Sequence, residues 1–159
     1  MEKLVVKLNE GLVYVAKGIT MLMVLLITLD VLGRWLFNQP ITGSVELVGF
    51  GLSMVIFLSI GYTHLYEEHI SIEFLVDKLP EKVRYLIDGV INVVITLLMI
   101  LIAGSLMWYV SRLYDSGTIT GDLGIPIYIM ALITVAGSLV FALTSLHLAI
   151  KYFGKVGQA

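Results

Sequence analysis

Cysteine is absent, which excludes disulfide frameworks, thiolate metal centres and cysteine nucleophiles. Charge is scarce. Only 14% of residues are Asp, Glu, Lys or Arg, against roughly a quarter in soluble domains. Ten basic residues, no Lys/Arg run and a net charge of −2 leave nothing to neutralise a phosphate backbone, so nucleic acid is not a partner. Three prolines and no low-complexity tract exclude long disordered linkers. What fills the chain instead is apolar: 58% of its 159 residues are hydrophobic, and the mean hydropathy is +0.98. Such a composition cannot cover a water-facing surface. The bilayer is its solvent, and residues 1–159 read as one integral membrane domain.

A hydrocarbon core about 30 Å thick takes about 20 apolar residues to cross as a helix. Four stretches qualify, at 18–37, 45–65, 89–110 and 127–150. Turn chemistry separates them. Asn38-Gln39-Pro40 and Thr42-Gly43-Ser44 interrupt the chain after the first span, and Asp115-Ser116-Gly117 through Gly124 after the third. Pro126 suits the first turn of the fourth span. The fold class expected is an all-α membrane protein with four transmembrane helices.

Orientation follows from the placement of Lys and Arg. Lys3, Lys7, Lys17, Lys78, Lys82, Arg84, Lys151 and Lys155 lie in the N-terminal segment, the middle connection and the tail, whereas the other two connections hold Arg34 and Arg112. Both termini and the middle connection are therefore expected in the cytoplasm. The first apolar run continues into Asp30, Arg34 and Trp35 with no small-x-small site, which reads as an uncleaved span. Upstream, Leu4, Leu8, Leu12, Val15 and Ile19 form one helical stripe. The stripe fits an amphipathic helix on the inner leaflet, or equally an early start to the first span. In the middle connection, Ile72, Leu75, Val76 and Leu79 predict a second interfacial amphipathic helix ending at Pro80. A new helix starting there runs straight into the third span.

The chemistry of a self-sufficient transporter is missing. Polar solutes and ions are carried past mid-membrane ionisable groups or broken helices, and the central parts of spans two to four have neither. Their Ser, Thr and Asn residues suit bonds to the helix backbone or across helices, and Gly49 with Ser53 forms a small-residue pair for close packing. A small oligomeric exporter would need a mid-membrane carboxylate, and only Asp30 comes near. No phosphate loop, nucleophile elbow or zinc-protease motif is present, so the chain is not read as an enzyme and needs no cofactor. One alternative places a b-type haem between His64 and His147, which close spans two and four at the same depth.

The order Arg34-Trp35-Leu36-Phe37-Asn38-Gln39-Pro40-Ile41, then Glu46, then His69-Ile70-Ser71-Ile72-Glu73 resembles the small membrane subunit of tripartite ATP-independent periplasmic (TRAP) transporters, the DctQ type. The resemblance covers essentially the whole chain, including the Gly-rich outer loop and Pro126. Gly43-Ser44 departs from it where many members carry tryptophan. The resemblance implies a scaffold subunit that braces a large, multi-span, sodium-coupled permease subunit. A periplasmic substrate-binding protein would deliver an organic acid to that partner, and membrane lipid surrounds the pair. The substrate site is expected on the partners. On this chain Asp30, Arg34, Asn38, Pro40, Glu46, His69 and Glu73 become the structural or partner-contact candidates. Arg34, one turn from Asp30 and a short loop from Glu46, is placed to bridge both carboxylates. His69 and Glu73 are expected to fix the middle connection to headgroups or to the partner.

Overall fold

A computed structural model describes residues 2–66 and 80–157. Four helices account for nearly all of them: α1 (Glu2–Phe37), α2 (Ser44–Leu65), α3 (Glu81–Ser116) and α4 (Ile127–Val156). All four are long and apolar enough to cross a membrane. The middle-connection helix expected over 72–79, with His69 and Glu73, lies outside the described residues.

With 36 residues each, α1 and α3 rise about 54 Å at 1.5 Å per residue, well beyond the hydrocarbon thickness. The surplus of α1 is its N-terminal stripe. No break separates that stripe from the first span, so residues 2–37 form one rod. The surplus of α3 begins at Pro80, which supplies the N-cap, with Glu81 in the first turn where the helix dipole favours it. Pro126 likewise caps α4.

Without water to expel between them, helices in lipid associate through close packing and interhelical hydrogen bonds. The order of contact is α1 on α2, α2 on α4 and α4 on α3, with a lesser touch of α1 on α4. α4 is thus the central element, and its sequence explains why. Val135, Ser138, Ala142, Ser145, Ala149 and Tyr152 recur at alternating steps of three and four and are all buried, a seam of mostly small side chains. On α3, Gly89, Asn92, Thr96, Ala103 and Val110 form the buried stripe. Small residues on both let the two backbones approach.

A backbone-to-backbone approach occurs at Gly137, where a Cβ would collide with the carbonyl of Phe57 on α2. Gly49, expected to mark the packed face of α2, has open space around its Cβ direction; Gly51, under Met23 of α1, and Gly61 mark it instead. The other half of the expected pair is placed as foreseen, since Ser53 Oγ lies 3.4 Å from Thr134 Oγ1 on α4.

A direct consequence concerns Gly137→Ala. The added methyl has backbone in its way rather than a flexible side chain, so α2 and α4 must separate, at a cost of about 1–3 kcal/mol. Gly49→Ala should leave thermal stability unchanged. Equal melting temperatures for the two variants would contradict this packing.

Candidate functional site

The end of the bundle that carries the α1–α2 turn and the α3–α4 loop is organised by two carboxylates. Asp30 is buried near the end of α1. Its Oδ2 accepts from Arg34 Nε at 2.9 Å and pairs with Arg34 Nη2 at 2.8 Å. Its Oδ1 accepts the Ile41 backbone N–H at 2.7 Å. The spacing of one helical turn makes the first contact, and the turn chemistry makes the second. Asn38 takes a left-handed conformation, φ 54°, a position that Asn tolerates better than most residues. Its N–H donates to the Arg34 carbonyl, and Gln39 N–H donates to Gly33. The helix is closed there, and Pro40 cannot continue it. The chain then folds back so that Ile41 faces Asp30.

Glu46 does not join this pair. The three-membered cluster expected around Arg34 is replaced by two separate clasps. Glu46 Oε1 accepts from the Asp122 backbone N–H at 2.8 Å, and Oε2 from Leu123 N–H at 3.1 Å. These donors belong to the loop between α3 and α4. That loop is itself closed by Thr120 N–H to the Ile125 carbonyl at 2.9 Å, Ile127 N–H to Thr118 at 3.1 Å and Ile125 N–H to Thr120 Oγ1 at 3.1 Å. Two adjacent amides form a bidentate match for a carboxylate, and the Arg34 guanidinium is already engaged through Nε and Nη2 by Asp30. Gly43 seals the joint. It sits at φ 76°, with the Leu123 side chain packed where its Cβ would be. Here the Gly43 that departs from the resembled pattern has a positive reason: both its conformation and its neighbour exclude a side chain.

The opposite half of the bundle contains a second polar assembly. His64 Nε2 lies 2.8 Å from Asn92 Oδ1. Asn92 Nδ2 donates to the Asp88 carbonyl at 2.9 Å, which leaves Oδ1 as acceptor and puts the proton on His64 Nε2. Ser145 Oγ stands 3.1 Å from Asn92 Oδ1, 3.2 Å from the Asn92 carbonyl and 3.2 Å from His64 Nε2. The imidazole edge also packs on Phe141, with ring centroids 5.1 Å apart. Three helices meet in this one knot. A little way off, Asn9 of α1 is fully buried and donates from Nδ2 to Thr144 Oγ1 at 2.8 Å and to the Val5 carbonyl at 2.9 Å. Its Oδ1 has no hydrogen-bond partner and rests against Gly61. A Cα–H of Gly61 occupies the direction a Cβ would take, a weak C–H···O contact. Tyr66, just beyond α2, reaches Glu10 of α1 at 3.5 Å. Desolvation, aided by Tyr62 and the Glu10 carboxylate, pushes the Tyr66 hydroxyl above the usual phenol range.

This arrangement decides against a shared haem. His64 meets α4 at Ser145, and His147 is two residues on, about 200° around the helix. His147 lines an apolar groove toward Leu4, Leu8 and Asn9 of α1. The two rings therefore occupy different sides of α4 and cannot ligate one iron. Among the described residues no three His, Asp or Glu side chains are grouped to hold a metal ion.

Sequence reasoning treated the Ser, Thr and Asn residues of the spans as bonding locally or across helices, but did not single out Asn9 or the His64–Asn92–Ser145 knot. A signal for Asn92 existed: it is the lone amide in a 20-residue apolar run. Asn9 had none, because beside Lys7 and Glu10 it reads as part of a wet face.

The fold and these contacts define a multi-pass helical membrane protein whose polar groups are used to tie helices and loops together. The family model for the DctQ component of tripartite ATP-independent periplasmic transporters matches residues 23–154, and the chain belongs to that family. That family is a transporter component rather than an enzyme. The chain is also 30% identical, over 122 residues, to the ectoine TRAP transporter small permease protein TeaB of Halomonas elongata. That match covers 77% of this chain and 63% of the relative, so the chain spans less than two thirds of that protein's length.

Two measurements test the assignments. Glu46→Ala should speed hydrogen exchange at the Asp122 and Leu123 amides by about tenfold through local opening, while Arg34→Ala should leave those amides unchanged. Acceleration by the Arg34 variant instead would restore the single-cluster arrangement. In the knot, Asn92→Ala removes the amide that joins α3 to His64 on α2 and should cost about 1–3 kcal/mol. Ser59→Ala, whose hydroxyl bonds only within its own helix, should cost far less. Similar melting temperatures for both would show that the knot does not tie the helices.

Proposed function

We propose that this chain is the small scaffold subunit of a TRAP secondary transporter in the bacterial inner membrane, with both termini cytoplasmic. It braces a large sodium-coupled permease subunit that takes up an organic acid delivered by a periplasmic binding protein. Membership of the DctQ family supports the assembly. One observation carries the scaffold role. The buried polar side chains of the described residues, Asn9 Oδ1 apart, are engaged in ties between helices or to their own backbones, while α1 and α3 turn broad apolar faces outward. On α1, Met21, Leu22 and Leu25 are exposed; on α3, Leu97, Leu101 and Trp108 are. Faces of this kind suit lipid on one side and an apolar partner on the other. Asp30, the carboxylate that comes nearest to mid-membrane, is committed to Arg34 and Ile41 and offers no site to a travelling ion.

As a scaffold, the chain enlarges a stationary frame against which a transport domain of the partner moves. The clasps made by Asp30 and Glu46 keep the outer loops from following that motion. Asn38 and Pro40 contribute by ending α1 at a defined residue. His69 and Glu73 would anchor the middle connection on the inner side, to headgroups or to the partner.

Reconstituted alone under a sodium gradient, the chain should show no saturable uptake of organic acids, and uptake should appear only with the large subunit and binding protein present. Gradient-driven uptake by this chain alone would refute the scaffold role. Reporter fusions after Ile41 and Gly121 should read periplasmic, and fusions at Lys78 and the C-terminus cytoplasmic. The opposite readout would invert the orientation.

A further inference from the structure

Where α3 and α4 emerge from their apolar stretches, a cavity of about 260 Å³ opens between them, lined by Glu81, Arg84, Tyr85, Asp88, Tyr152 and Lys155. On α3 the four lining residues follow i, i+3, i+4, i+7, one face of the helix. Tyr85 and Tyr152 form the wall, with rings 6.4 Å apart and tilted by 27°, and Tyr152 is buried. Lys155 Nζ sits 5.1 Å from the Tyr85 centroid and 5.8 Å from that of Tyr152, which holds the ammonium at the cavity rim. Two cations and two carboxylates thus face one small space. Arg84 and Asp88 already have partners of their own, so a ligand joins a formed network.

We propose that this cavity binds the headgroup of a zwitterionic aminophospholipid, a phosphate ester carrying a primary ammonium. Arg84 and Lys155 match the phosphate, the guanidinium through its planar fork. Glu81 and Asp88 match the ammonium, whose N–H groups can donate to them. A quaternary amine lacks those donors, and an anionic glycerol headgroup brings no cation to the carboxylates. The position fits a lipid, because the cavity lies in the first two turns of α3 and the last turns of α4, where charged residues follow on the apolar stretches. Just inward, Val90 and Phe153 remain 48% and 42% exposed and give acyl chains an apolar path. The proposal is independent of the transport role.

The test is native mass spectrometry of the full chain, incubated with an equimolar mixture of phosphatidylethanolamine, phosphatidylcholine and phosphatidylglycerol of matched acyl chains. Phosphatidylethanolamine adducts should exceed either other lipid by about tenfold, the worth of a charge-assisted contact. The preference should vanish in Arg84→Gln/Lys155→Gln and in Glu81→Gln/Asp88→Asn. Millimolar soluble phosphoethanolamine should compete, and inorganic phosphate at the same concentration should not. Equal retention of the three lipids, displacement by inorganic phosphate, or a preference that survives both double variants overturns the proposal. Should either variant fail to fold, the lipid ranking of the unaltered chain decides.

Discussion

The approach of Gly137 to the Phe57 carbonyl fixes the distance between α2 and α4, and the rest of the bundle is built around that distance. In lipid there is no hydrophobic gain in pressing one apolar helix against another, so proximity has to come from shape and from hydrogen bonds. A glycine at the crossing point supplies the shape. Once α2 and α4 are close, His64 can reach Ser145 and Ser53 can approach Thr134. Once α4 is placed, its small-residue seam receives α3, and Asn92 arrives beside His64. The hydrogen bonds depend on the spacing, and the spacing tolerates no side chain at residue 137.

The polar groups are distributed by depth. Among the described residues, the middles of α2, α3 and α4 carry hydroxyls as their polar groups, several bonded to carbonyls one turn back, as Thr96 and Ser138 are. The amides and imidazole lie toward one end, and the carboxylates that tie loops lie toward the other. This grading follows the cost of burying each group away from water, lowest for a hydroxyl that can bond to its own helix and highest for a charge. Asp30 shows how the costliest case is met: each of its oxygens has a donor, one from a guanidinium and one from a backbone amide.

Much of this was legible in the sequence, because length, hydropathy and turn residues are local properties. The four spans, the stop at Asn38-Gln39-Pro40 and the starts at Pro80 and Pro126 are each encoded within a few residues. The Asp30–Arg34 contact was legible for the same reason, being one turn long. The partner of Glu46 was not. Its donors are 76 and 77 residues away, and they are backbone amides, which every residue but proline carries. The packed face of α2 was hidden for another reason. In a helix that is apolar all round, lipid and protein contacts select the same residue types, so Gly49 and Gly51 look alike until a neighbour is placed beside one of them. Asn9 misled in the opposite direction, since polar neighbours made a buried amide look wet.

The two carboxylate clasps have a property in common: each carboxylate on a helix holds main-chain N–H groups of a loop, so the residues that donate those groups need no particular side chain. Leu123 packs on Gly43, but Asp122 offers Glu46 only its backbone, and Ile41 does the same for Asp30. The fold of these loops and the chemistry they display are therefore separate variables. A substitution at residue 122 could redraw the charge presented on the outer surface while the hinge-points beneath it stay where they are. The bundle works as a chassis whose exterior can be refitted without rebuilding the frame.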